Sequence, residues 1–155
     1  MIETIDKLAN RIQTEFDNGI KLEDMKDVMM SYNGTDWMAY QRFSDINYTR
    51  NLIFRNDIFE IMILCWNGNQ KSPIHDHPSN GCYVKLLQGS LVEESYDIID
   101  DILTLVNTAE LTDNAVTYKK GKEGIHRIIN PNPEECVTLH VYSPPNYIFN
   151  PIMPN

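Results

Sequence analysis

Apolar residues recur at helical spacing at the start of the chain. Ile5, Leu8, Ile12 and Phe16 fall on one face, and Leu22, Met25 and Met29 resume the pattern after the Asn18-Gly19 break. A third short helix is predicted from a cap at Thr35 or Asp36 through Phe43. The texture then changes. Segments 58–66, 82–87, 90–96, 102–106, 115–118, 126–129 and 136–142 are short and rich in β-branched, aromatic and aliphatic side chains. Turn-forming pieces separate them: Asn67-Gly68-Asn69, Gln88-Gly89, Asp100-Asp101, Asp113-Asn114, Gly121 to Gly124, and Asn130 to Pro133. Short strands at this spacing predict an antiparallel barrel or sandwich with a helical N-terminal cap, α+β in content and β in its core. No repeat, low-complexity tract or linker intervenes. The sequence therefore predicts one domain over 1–155, with the cap at about 1–44 and the barrel at about 45–145.

At 155 residues such a chain can bury a sizeable core without staples. Its 42% hydrophobic and 23% charged content is ordinary for a soluble globular protein. A net charge of −9 repels a phosphate backbone and an anionic membrane surface, so neither nucleic acid nor membrane is an expected partner. The first residues, MIETIDKLANRIQTEF, carry no basic stretch followed by an apolar run, and no segment has the length of a bilayer span. Three cysteines without a CxxC pair point to reduced thiols and a cytoplasmic setting.

His75-Asp76-His77 is the first candidate for chemistry. In a strand, residues i and i+2 share a face, so two imidazoles on one face of a strand can grip one metal ion. By itself a His-x-His pair is more often plain surface or core histidine. The surroundings strengthen it: Cys82 follows His77 after four residues, and Gly89 follows Cys82 after six. This stretch resembles the first signature of the cupin superfamily, with Cys82 at the position of the acidic ligand. Gly124-Ile125-His126 and Asn130 resemble the second signature, although its usual Pro-x-Gly-x-x-His spacing is not reproduced, and His126 would be the third ligand. Three neutral imidazoles leave a divalent metal its full charge, which favours a substrate that brings an anionic ligand such as a thiolate. Imidazole suits Fe, Zn, Cu and Ni alike, so spacing leaves the metal open.

A second constellation lies in 137–142. Thr138, His140 and Tyr142 share one strand face, and Val137, Leu139 and Val141 share the other. The polar row either lines a barrel interior as a hydrogen-bonded relay or faces solvent; the segment alone permits both. All four histidines of the chain, His75, His77, His126 and His140, fall in these two constellations. Trp37 and Trp66 read as packing residues, and Cys65 and Cys136 as plain buried thiols.

Jointly, Tyr48-Thr49-Arg50-Asn51, Met62 to Trp66, Ile74 to His77, Cys82 through Gly89, His126-Arg127 and Leu139 to Pro145 are similar to the cysteine dioxygenases, thiol dioxygenases of the cupin fold. The resemblance implies a mainly β fold, a small antiparallel β-barrel or jelly roll with two or three N-terminal α-helices. It implies Fe(II) held by His75, His77 and His126, and a small thiol amino acid and O2 as partners. The product would be cysteine sulfinic acid, made by a cytoplasmic monomer. Arg50 stands where the family places the arginine that binds the substrate carboxylate, and a guanidinium suits a two-point grip on that group. Tyr48 accompanies it. Cys82 and Tyr142 match the family's thioether pair, His140 the histidine bonded to that phenol, and Ser143-Pro144 a cis peptide. Two features depart from the pattern. The relay serine is Thr138, which adds a methyl group, and the sequence stops at Asn155 where animal members continue with a tail near the site. Two alternatives stay open: a dioxygenase of another small thiol such as mercaptopropionate, and a non-catalytic metal-binding cupin.

Overall fold

The computed structural model describes residues 1–153. Helix α1, Ile5–Asp17, starts at Thr4, whose side chain accepts the Lys7 N–H, a cap that contributes about 1 kcal/mol. Its buried face is Ile5, Leu8, Ala9 and Ile12; three of the four predicted positions are buried and the fourth, Phe16, is half-buried. A 3-10 turn at Leu22–Asp24 leads into helix α2, Lys26–Ser31. The third predicted helix is a single 3-10 stretch, Asp36–Tyr40, ending at Gln41 rather than Phe43. Trp37 is its buried residue, so one side chain anchors it where a longer helix would need a stripe.

Among the described residues eight strands follow, all paired antiparallel. They are β1 (Thr49–Arg55), β2 (Glu60–Trp66), β3 (Gly81–Gln88), β4 (Leu91–Ile99), β5 (Ile102–Leu111), β6 (Val116–Lys119), β7 (Ile125–Ile129) and β8 (Cys136–Ser143). One sheet has the order β1-β2-β8-β3-β6 and the other β5-β4-β7. Seven of them coincide with predicted segments, β5 running five residues beyond its segment, and β1 has no predicted counterpart. That edge strand alternates only weakly, with Leu52 and Arg50 exposed and Ile53 and Phe54 half-buried. The predicted barrel with its helical cap is the observed architecture.

The alternation in β8 decides where the core and the site lie. Val137, Leu139 and Val141 join Ile61, Ile63 and Cys65 of β2 and pack beneath the helices, against Leu8, Ile12 and Met29. The other face turns inward, between the two sheets, and Thr138, His140 and Tyr142 are all buried. A smaller apolar cluster of Leu64, Trp66, Leu86, Leu91, Leu111 and Ile128 closes one end of the interior. Lys85 fastens the cap to the barrel: its buried ammonium donates to the carbonyls of Met29 and Tyr32 at 2.9 and 2.7 Å, at the C-terminus of α2. At the turn into β4, Gly89 has φ +84, and an added Cβ would meet Cys136 Sγ at 2.5 Å, so the glycine of the first signature is a steric requirement.

Candidate metal centre

His75 and His77 lie in an extended segment between β2 and β3, not in a regular strand. His75 nevertheless pairs with His126 as an isolated antiparallel bridge, through N–H to carbonyl bonds of 3.0 and 3.1 Å in both directions. That bridge ties the loop to β7 and brings the third histidine beside the first two. The three ring centroids stand 4.3 to 4.8 Å apart, and all three side chains are buried. Among the described residues these three offer one ligand atom each within 4.8 Å of one another, the arrangement that a metal ion requires.

The donor set also has the right hydrogen-bond polarity. Each Nδ1 meets an oxygen that can only accept: His75 the Pro73 carbonyl at 2.8 Å, His77 the Gly124 carbonyl, and His126 the buried Glu93 carboxylate at 2.8 Å. Each Nδ1 must therefore carry the hydrogen, which leaves every Nε2 as a bare lone pair. His77 Nε2 and His126 Nε2 lie 3.0 Å apart. Two imidazole nitrogens bound at right angles to one ion at about 2.1 Å would stand about 3 Å apart, so the spacing fits a shared metal. Two such lone pairs repel each other unless a cation sits between them. The residues present fit the ion that the donor set calls for.

Burial holds the imidazoles neutral and ready to ligate. It lowers the pKa of His75, drives that of His77 down to about 2, and sets those of His126 and His140 well below the ordinary value. Unfolded histidines take up protons as the pH falls through about 6.5, whereas the folded protein excludes them. Stability is thus present above that pH and lost below it, with a slope of up to about 5 kcal/mol per pH unit if all four titrate together. Thermal unfolding of the metal-free protein should show Tm falling steeply from pH 7 to pH 5; a flat profile would mean that these imidazoles protonate freely in the fold.

The relay residues stand beside the three histidines. Trp66 Nε1 donates to Thr138 Oγ1 at 3.0 Å, Thr138 Oγ1 lies 2.8 Å from His140 Nε2, and His140 Nδ1 lies 3.1 Å from Tyr142 Oη. Cys82 and Tyr142 are direct cross-strand partners in the β3–β8 register, so their side chains project to the same face and touch. Burial raises the pKa of both the Cys82 thiol and the Tyr142 phenol, so each keeps its proton at neutral pH. Ser143-Pro144 is cis.

Arg50 lies at the mouth rather than inside. It is exposed, with its guanidinium 5.6 Å from the Tyr142 ring and 5.2 Å from the Phe149 ring, and one nitrogen 3.7 Å from Met62 Sδ. Among the described residues no carboxylate forms an ion pair with it. Tyr48, two residues earlier on the same face, stacks on Trp66 at 4.5 Å. The cleft between Arg50, His75, His126, His140, Tyr142 and Phe149 is narrow, with about 10 Å³ of free volume, room for a single water, so a larger occupant needs the Phe149 and Arg50 side chains to give way.

Four contributors escape the sequence reading. Glu93 sits in β4 between Leu91 and Ser95, all three buried, so the same alternation that marks β8 would have flagged it. Trp66 is more than packing, since its N–H enters the relay. Phe149 and Asp76 form the cover over the site. The Phe149 ring lies 4.6 Å from that of His75, and buried Asp76 accepts from Tyr147 Oη at 2.9 Å and from the Asn150 N–H at 3.2 Å. The Ile152 N–H adds a bond to the Ile74 carbonyl at 2.7 Å. The segment after Pro145, whose role the sequence leaves open, thus lies across the mouth. Cys65 and Cys136 are buried thiols as expected.

The family model for cysteine dioxygenase type I matches residues 2–150. Cysteine dioxygenase type 1 of Danio rerio is 38% identical over 152 residues, covering 92% of this chain and 76% of that protein. The chain belongs to the cysteine dioxygenase type I family. The Homo sapiens member is 35% identical over 133 residues, or 81% of this chain and 66% of its own length, so the match spans about two-thirds of that relative. Solved structures support the fold of the family member described above. A Klebsiella pneumoniae protein with a double-stranded β-helix domain superposes with a TM-score of 0.59 at 19% identity, over 74% of this chain and 86% of that one. A cupin superfamily protein from Desulfitobacterium hafniense gives 0.56 at 13% identity, over 72% and 90%. The three-histidine group of this dioxygenase family member offers the donor set that a metal cofactor needs.

Proposed function

We propose that the protein is an Fe(II)-dependent cysteine dioxygenase that adds both atoms of O2 to the sulfur of L-cysteine, giving cysteine sulfinic acid. The observation that carries this reading is the set of three Nε2 lone pairs, each fixed by an acceptor on its Nδ1, beneath an unpaired Arg50. His75, His77 and His126 hold the iron, which supplies the redox chemistry with O2. With no carboxylate among them, the centre keeps its positive charge and favours a thiolate. Arg50 takes the substrate carboxylate in a two-point grip, and its fixed charge also favours the thiolate form of the substrate. Tyr48 buttresses that face through its stack on Trp66. Thr138 and His140 orient the Tyr142 phenol, which holds its proton over the cleft. Phe149 excludes water from the mouth, which strengthens every charge interaction beneath it. The whole chain, 1–155, acts as one cupin domain and as a cytoplasmic monomer in cysteine catabolism; residues 154 and 155 lie outside those described.

Iron-loaded protein should consume O2 with cysteine and release cysteine sulfinate; no turnover at any pH at which the protein stays folded would overturn the reading. Specificity constants for cysteine, mercaptopropionate and cysteamine separate the substrates. Because cysteamine lacks a carboxylate, a preference for it would refute the role given to Arg50.

The reading includes a thioether between Cys82 Sγ and a ring carbon of Tyr142. Its formation breaks one S–H and one C–H bond, and O2 takes the two electrons and two protons. The direct cross-strand pairing of these residues supports it. After turnover with cysteine, intact mass should fall by two hydrogens and a faster band should appear on a denaturing gel. Cys82→Gly should lose both signs and still bind iron; a faster band in that variant would rule out this pair.

A further inference from the structure

Trp66 ends β2 fully inside the protein, 1% exposed. An indole N–H can only donate, so the 3.0 Å contact with Thr138 Oγ1 has one possible direction. Thr138 Oγ1 has one hydrogen of its own and is also buried, and among the described residues its other hydrogen-bond partner is His140 Nε2 at 2.8 Å. A neutral imidazole carries a single N–H, so the row has two conceivable polarities. If His140 carried its hydrogen on Nε2, Thr138 would receive two donors and its own hydrogen would have no acceptor in a dry interior, an arrangement that folded proteins avoid. If His140 carries it on Nδ1, every group is matched. Trp66 donates to Thr138, Thr138 to His140 Nε2, and His140 Nδ1–H to Tyr142 Oη at 3.1 Å. The phenol's own hydrogen must then point away from His140, toward Cys82 and the cleft.

We infer that Trp66 is a positioning residue: through Thr138 it holds His140 as the Nδ1–H tautomer and thereby turns the Tyr142 hydroxyl into a donor facing the cleft. The inference deepens the proposed thiol oxidation and rests on it for its catalytic consequence, whereas the tautomer stands on the geometry of the row. It also gives the Thr138 position a requirement, a hydroxyl that accepts from one side and donates to the other, which serine or threonine meets and valine does not.

Nitrogen-15 NMR of histidine-labelled protein tests it, with the site filled with diamagnetic zinc so that ring nitrogens and their attached hydrogens can be read. In the unsubstituted protein His140 should carry its hydrogen on Nδ1; a hydrogen on Nε2 would overturn the inference without recourse to any variant. Trp66→Phe keeps an aromatic ring against Tyr48 and removes the donor. There the space left by the smaller ring admits a water that accepts the Thr138 hydrogen, the Thr138 oxygen can then accept from His140 Nε2–H, and a mixture of tautomers should appear. With iron in the site, kcat on cysteine should fall about three- to tenfold with KM little changed, the scale of one hydrogen bond. Thr138→Val should disturb the tautomer in the same way, and Thr138→Ser should restore it. A pure Nδ1–H state in either Trp66→Phe or Thr138→Val would refute the control by Trp66. Absence of cysteine oxidation by the unsubstituted protein would sink the proposed function instead, and would leave the NMR result standing.

Discussion

Replacing His126 with alanine is expected to strip the protein of its metal and, with it, of measurable thiol oxidation. In the proposed centre His126 joins the two halves of the site. It comes from β7, whereas His75 and His77 come from the loop before β3, and its backbone pairs with His75 in both directions. Removing the imidazole leaves two ligands on an irregular segment and a buried Glu93 carboxylate, 5% exposed, that keeps only its bond from Thr117 Oγ1. Metal content after gel filtration, read beside O2 uptake, checks the result; retention of stoichiometric iron by His126→Ala would place the metal elsewhere. Glu93→Gln gives the graded version. Its amide oxygen still accepts from His126 Nδ1–H, yet the negative charge that raises ligand basicity is gone, so metal affinity should fall about 10- to 100-fold with the fold intact. An unchanged affinity would mean that Glu93 merely fills space.

Arg50→Met should cut kcat/KM for cysteine about 10- to 150-fold, mostly through KM, and leave oxidation of cysteamine nearly untouched. The estimate follows from the roughly 1.5–3 kcal/mol of a hydrogen bond to a charged group, taken without the larger values of fully buried pairs because Arg50 is exposed at the mouth. Methionine keeps an unbranched apolar stem and removes the guanidinium that stands over the Tyr142 and Phe149 rings. The two-substrate comparison is decisive. Cysteamine lacks the carboxylate, and an equal loss on both thiols would mean that the arginine supports the site rather than the substrate. Arg50→Lys should recover only part of the activity, because an ammonium offers a point charge in place of a planar fork.

Much of the site could be read from short-range pattern. Alternation within 137–142 states that Thr138, His140 and Tyr142 share a face, and the run from His75 to Gly89 states that two imidazoles and a thiol recur at the spacing of a metal-binding barrel motif. Alternation does not say which face is inside, because a strand with one apolar face can turn its polar face to water or to a second sheet. Here the helical cap takes the apolar face of β8, and the polar face is left to the interior. The third predicted helix shortened to a 3-10 turn for a related reason: its burial is supplied by Trp37 alone. Strand β1 went unseen because an edge strand half-exposed on both faces carries little alternation.

By itself, then, the sequence determined the helical cap, the antiparallel strands, the His75–His77 pair and the residues that share one face of β8, since each follows from local periodicity or from spacing along one stretch of chain; His126, without the usual signature spacing, came from the family resemblance. Tertiary structure alone decided how those groups are tuned. The acceptor that fixes His77 comes from a residue 47 positions away, and the one that fixes His126 from 33 positions away. The indole that sets the polarity of the relay lies 72 positions from Thr138. The cover that Phe149 lays over Arg50 is held by Asp76, 71 positions before the tyrosine that bonds to it. Hydrogen-bond direction and burial depend on which distant atoms the fold brings within 3 Å or so, and no local pattern along a chain encodes that distance.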